Sequence, residues 1–289
     1  MDSPLMKTRR VAETDRPMNV IPPLKIFVDE SGSTDFGEPK EDEPKKALAV
    51  VAVAVPTMHF KAIQSLLPRN AAGKFLKAQD REFHAGTALT FVNKLISSTA
   101  NVGAFLVDPG AVKNIELANA NAKLANDRRE IARKQEVTEE GKHMHPPISP
   151  HDLHYMVFLS QALFACLEVY SSRNGGMPSF VDIVVDTKDI DESQRQRFVR
   201  ELRRISNKYG LIVGEFVWKR EEDEPLLLLP DLFGGILCRE DRFRDVGAAA
   251  HKLWDAERAG RFKFVNKPPS ERAAEAKGGG TVERGIKGV

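Results

Sequence analysis

Ile26-Phe27-Val28-Asp29-Glu30-Ser31-Gly32 carries an apolar strand into two adjacent carboxylates and then into a serine-glycine pair suited to a sharp turn. Two later stretches meet acid in a similar way. Val181 to Val185 reads as a strand that delivers Asp186 at its carboxyl end, and Leu226-Leu227-Leu228-Leu229-Pro230-Asp231 puts an aspartate in the first turn of a helix, where proline is accommodated. If the strands that end in Asp29 and Asp186 are neighbours, their ends lie about 5 Å apart. At ~4 Å two carboxylates repel by about 4 kcal/mol in an effective dielectric near 20, so such a cluster calls for a cation. Ligation by oxygen alone suits Mg²⁺ or Mn²⁺, whereas zinc would want histidine or cysteine close by.

Working outward from that strand, Ala47 to Val55 is an unbroken valine-rich run, as expected for a strand covered on both faces. The charged stretch Ser33 to Lys46, with Gly37, Pro39 and Pro44, supplies a return connection between the two. Leu66 to Asp80 shows no clear period. A helix is expected over Thr87 to Ser98, with Leu89, Val92, Leu95 and Ile96 on one face, and a third strand over Val102 to Val107. From Asp108 the composition shifts to Asn, Ala, Lys, Arg and Glu, which reads as a helical insertion over about 110–150. Only Val112, Ile115, Leu124 and Ile131 are placed to dock it, so it offers a lid or a surface for homo-oligomers. A buried helix is expected from His151 to Tyr170 and another from Asp191 to Lys208, the latter with Asp191 and Gln194 spaced as a capping box and Phe198, Leu202 and Ile205 facing inward. Leu211 to Trp218 is the fifth strand, followed by an acidic turn, Glu221 to Glu224, and a last helix near Asp241 to Arg258. The expected fold class is therefore α/β, a five-stranded mixed sheet flanked by helices over residues 24–260 with a helical insertion, between a flexible leader 1–23 and a flexible tail 261–289.

The 289 residues suffice for a substantial core, and 43 basic against 41 acidic side chains leave a formal charge of +2, so any nucleic-acid surface must be a local patch. Cys166 and Cys238 are far apart in apolar surroundings, which argues against a disulfide framework or a cysteine zinc site and fits a reducing, cytoplasmic setting. No segment reaches the roughly 18 uninterrupted apolar residues of a membrane span, so a soluble protein without a membrane partner is expected.

Asp29-Glu30-Ser31-Gly32, Glu82-Phe83-His84-Ala85, the strand ending in Asp186, and Leu227-Leu228-Leu229-Pro230-Asp231 with Gly234-Gly235 occur in that order. Together they resemble the four signature blocks of the family called domain of unknown function 3800 (DUF3800), over roughly residues 24 to 255. Leu228 and Pro230 stand where that family typically has glutamine and alanine, which leaves Asp231 intact but removes a polar neighbour. The resemblance implies a ribonuclease H-like fold and a metal-dependent nuclease, with two metal ions ~4 Å apart that activate water and stabilise the leaving oxygen of a phosphodiester. In that scheme Asp29 is the bridging ligand, Asp186 and Asp231 flank it, and Glu82 is a fourth ligand. Glu30 alternates to the other side of the strand and is the weaker candidate. His84 would orient a ligand or shuttle a proton to the leaving group.

Arg197, Arg200, Arg204 and Lys208 recur at three and four residues and form a basic stripe suited to a phosphate backbone, although a solvated helix face has the same spacing. His143, His145, His151 and His154 lack the cysteine or acidic partners of a zinc motif. The leading expectation is thus a Mg²⁺- or Mn²⁺-dependent nuclease acting on RNA or DNA. Its rivals are a ribonuclease H-like module that binds nucleic acid or a partner without turnover, and a phosphohydrolase for a small nucleotide.

Overall fold

Leu24–Gly32 forms the central strand, β1, because its alternate residues find apolar cover on both sides. The computed structural model describes residues 23–32, 48–107, 150–187, 192–238 and 247–265. On one side, β1 pairs antiparallel with β2 (Leu48–Pro56), with Leu24 opposite Pro56 and Gly32 opposite Leu48. β3 (Asn101–Val107) continues antiparallel beside β2. On the other side, β4 (Phe180–Asp186) runs parallel to β1 with Val185 beside Val28, and β5 (Ile212–Lys219) runs parallel to β4. β6 (Phe262–Val265) adds parallel to β3, so the strand order is β5-β4-β1-β2-β3-β6.

The expected α/β class, a mixed sheet flanked by helices, is what the structure shows, with six strands among the described residues in place of five. The missed strand was read as the start of the tail. Its four residues stand among polar and basic neighbours, and what orders them is burial of Phe262 and Phe264 in the core, at 2% and 5% exposure. Tertiary packing overrides local composition there.

The described helices are α1 (Phe60–Gln64), α2 (Ala85–Ile96), α3 (Pro150–Asn174), α4 (Glu192–Lys208), α5 (Leu228–Cys238) and α6 (Gly247–Arg258). Alternation along the strands divides the core in two. Phe27, Val51 and Val184 face one layer with residues of α2, α5 and α6, while Val28, Val50 and Val185 face the other with residues of α3 and α4. The two cysteines fall on opposite faces. Cys166 lies in α3, its Sγ donating to the Asn101 carbonyl at 3.2 Å, and its thiol is pushed up to about 12, chiefly by burial. Cys238 ends α5 on the other face, where its Sγ donates to the Ser31 carbonyl at 3.3 Å. Gly103 lets α3 close on β3: a Cβ there would meet the Cys166 nitrogen at 2.2 Å.

Other expectations are met or adjusted locally. Phe198 and Leu202 are buried as expected, but Ile205 is 36% exposed because it lies at the margin of the α4 contact. Leu66 to Asp80, unresolved by pattern, contains a short antiparallel bridge between Arg69 and Phe75. The leader up to residue 22, the loop 33–47, the insertion 108–149 with its proposed oligomer surface, and the Asp191–Gln194 capping pair lie outside the described residues, as do the four histidine side chains His143, His145, His151 and His154. Among the described residues no helix is long and apolar enough to cross a membrane.

Candidate metal centre

Strand register decides which acids meet. Phe27 packs into the α5 layer and Val28 into the opposite one, so Asp29 returns to the α5 side. Val185 pairs with Val28, which brings the next residue of β4, Asp186, alongside Asp29 at the same sheet edge. The Thr187 N–H donates to the Lys219 carbonyl at 3.0 Å, so β5 ends at that edge too and releases the turn containing Glu221 beside it. Asp231 arrives in the first turn of α5. That helix comes close because of two glycines: a Cβ at Gly234 would lie 2.7 Å from the Ser31 Cβ, and one at Gly235 would lie 2.3 Å from the Ala78 Cβ.

The result is a group of carboxylates from three separate segments. One oxygen each of Asp29, Glu221 and Asp231 lie within 4.8 Å of one another. Asp186 joins them in lining a cavity of about 460 Å³, together with Glu30, Lys77, Gln79, Thr187, Arg220 and Glu222. Asp29 is only 5% exposed, and its Oδ1 accepts the Glu30 N–H at 2.7 Å. Asp231 accepts the Ala78 N–H on Oδ2 at 2.9 Å. Lys77 forms an ion pair with Glu221 and reaches Glu222 at 3.5 Å.

These surroundings set burial against charge. Burial holds the Asp186 carboxyl above its ordinary range, opposed by the Thr187 N–H and reinforced by the charge of Glu221. Lys77 is shifted upward, first by its hydrogen bond to Glu221. From across the sheet, Tyr155 of α3 is pushed well above its usual value by burial and then by the charges of Asp29 and Asp186, so its phenol stays protonated at neutral pH.

The donor set tests whether a metal suits the site. Three carboxylates converge with oxygen as their only ligating atom, two of the three have an oxygen already oriented by a backbone N–H, and the cavity has room for waters. That chemistry fits a hard divalent cation that keeps part of its hydration shell, and an acidic triad of this kind could hold one.

Of the residues singled out by sequence, Asp29, Asp186 and Asp231 line one cavity. Glu82 and His84 do not join them. Phe83 between them is buried against Phe91, and both neighbours are correspondingly exposed. Glu82 contributes its carbonyl to the Thr87 hydroxyl at 3.2 Å, while His84 precedes α2 and lines a different cavity with Arg69 and Lys94. The acid that joins Asp29 and Asp231 is Glu221, which the sequence showed only as part of an acidic turn. The available signal was positional: β5 is parallel to β4, so the turn after it had to emerge beside Asp186.

The basic stripe of α4 lies across the sheet from α5. Phe198 and Leu202 pack into the α3 layer. Arg200 and Lys208 are exposed, Arg197 is half-buried, and Arg204 is paired with Glu201 at 2.9 Å. The stripe therefore does not sit on the carboxylate face. The amino-terminal end of α4 approaches the carboxylate-bearing strand ends more closely, since the Arg195 guanidinium lies 4.9 Å from the ring centre of Trp218 on β5 and acts electrostatically on Tyr155.

No family model matches the chain, and no curated protein matches it. Among solved structures, a chain of the complex of PCNA with RNase HII from Archaeoglobus fulgidus aligns at 14% identity, covering 92% of this chain and 97% of that one, with a TM-score of 0.37. Ribonuclease H2 from Pyrococcus horikoshii OT3 aligns at 13% identity over 88% of this chain and 86% of its own, also with a TM-score of 0.37. Likenesses of that size leave the functional reading to the geometry of the site.

Proposed function

We propose that the protein is a divalent-metal-dependent phosphodiesterase acting on RNA or DNA, with Mg²⁺ or Mn²⁺ as its cofactor. The observation that supports this most is the meeting of Asp29, Glu221 and Asp231 within 4.8 Å, with Asp186 in the same cavity. A hard divalent cation supplies such a site with charge stabilisation for a phosphodiester and with activation of water. The chain's own residues do the rest. Asp29, the most enclosed of the acids, is the central ligand, and Asp186 and Asp231 flank it from separate elements. Glu221 serves as the fourth carboxylate. The Ala78 N–H fixes one oxygen of Asp231. Arg220 lines the same cavity and is suited to a phosphate oxygen. The DUF3800 resemblance agrees with this reading through its strand-end aspartates.

Incubation of labelled RNA and DNA with the purified protein should give cleavage in Mn²⁺ or Mg²⁺ that is lost in EDTA and in Asp29→Asn and Asp186→Asn. Calorimetry showing that neither ion binds would remove the proposal. One observation favours the second reading, a binding module without turnover: Lys77 already supplies a cation to Glu221. Salt-sensitive binding of nucleic acid with no cleavage under any metal would select it.

A further inference from the structure

The dipeptide Lys77-Ala78 grips two of the three clustered acids at once. The Lys77 ammonium pairs with Glu221 and sits 3.5 Å from Glu222, while the next N–H, from Ala78, is donated to Asp231 at 2.9 Å. The backbone that carries them is fixed on both sides. The Lys77 N–H donates to Asp80 Oδ2 at 2.8 Å, and Ala78 is buried against Gly235, so closely that a single methyl there would collide with it. The side chain itself is not enclosed. Lys77 is 40% exposed at the cavity mouth, whereas Glu221 is 14% exposed, so the ammonium can move to water while the carboxylate stays.

Glu221 therefore faces two claims. Its carboxylate belongs to the group of oxygens that converge within 4.8 Å, and the same carboxylate holds the lysine. One positive charge offsets one of the three acids in that group and leaves the rest for a cation of higher charge. An ammonium this near a divalent ion opposes its entry through like-charge repulsion. We infer that Lys77 is a built-in counter-ion that competes with the divalent metal for Glu221, so that loading the site requires its ammonium to withdraw from that carboxylate. This rests on the metal reading above and adds to it a residue that sets metal affinity.

The test is calorimetric titration of the full chain with Mn²⁺, comparing wild type, Lys77→Gln and Lys77→Arg, with Lys77→Met as a second uncharged variant and circular dichroism to confirm folding. Both uncharged variants should bind Mn²⁺ about tenfold more tightly than wild type, with Lys77→Arg close to wild type. In EDTA the uncharged variants should melt at lower temperature, and in saturating Mn²⁺ that deficit should close. A lysine with only a packing role would not tighten metal binding when removed. Wild-type binding with equal or weaker affinity in Lys77→Gln and Lys77→Met would overturn this inference and leave the metal reading standing. Binding by the uncharged variants alone would support it in its strongest form. Absence of Mn²⁺ binding in all four proteins would overturn both.

Discussion

Asp186 is held in conflict between the folded state and its own charge. Burial, with Glu221 next to it, raises its carboxyl above the unfolded value, so between the ordinary carboxylate range and that raised value the native state binds more protons than the unfolded one. Stability from this group is therefore present at low pH and is lost as pH rises through the folded value, the reverse of a salt-bridged aspartate. Two outcomes follow for Asp186→Asn, read by thermal melts across pH. In EDTA at neutral pH the variant should be at least as stable as wild type, with a flatter pH dependence in the acidic range. In Mn²⁺ it should lose the rise in melting temperature that wild type shows on binding. A wild-type protein that gains nothing from Mn²⁺, or an asparagine variant that gains as much, would contradict the assignment. At this scale the sequence was informative wherever an acid followed an apolar strand, because a strand end has a fixed place in a sheet. Glu82 and His84 lie apart from that cavity because their fixed neighbour is Phe83, and burying that ring directs the residues beside it outward. Glu221 was hidden in a turn whose position depends on which strand lies beside β4.

At the level of elements, α5 delivers Asp231 only because two successive glycines let it approach β1 and the Lys77-Ala78 segment. Gly235→Ala would bring a methyl to 2.3 Å from the Ala78 Cβ, and since Ala78 is buried the helix has to shift. Overpacking of this kind costs typically about 1–3 kcal/mol. Gly103→Ala should cost as much or more, since its methyl would meet the backbone of α3 at 2.2 Å. The two variants differ in what else they disturb. Urea denaturation should show both destabilised, while Mn²⁺ titration should show weakened binding in Gly235→Ala and unchanged affinity in Gly103→Ala. Helix and strand positions were largely legible from periodicity and caps, including the proline in the first turn of α5. The packing distance between elements was not, since a glycine pair in a sequence states that a close approach is allowed without naming the partner.

For the whole molecule, the six described strands and two helical layers put the candidate centre at the carboxyl ends of the interior strands β1 and β4, and the added strand β6 at a lateral edge of the sheet. Phe262 packs against Phe264 in a tilted pair, 4.3 Å between ring centres, and lies 5.9 Å from Phe233 of α5, so the far strand and the helix bearing Asp231 share one core. Phe262→Ala should destabilise the protein by about 3–5 kcal/mol in equilibrium unfolding, which would show that residues past 260 belong to the folded body. A loss below ~1 kcal/mol would place β6 outside the cooperative unit. The sheet also separates the two thiols. Cys166, with its proton held to about 12 and no exposed surface, is a poor nucleophile at neutral pH, whereas Cys238 is half-buried beside Ser31 of β1. A maleimide dye should therefore attach at a single native position, giving a fluorescent reporter on the helix that carries Asp231 without engineering a cysteine, and tryptic mass spectra would identify the labelled peptide.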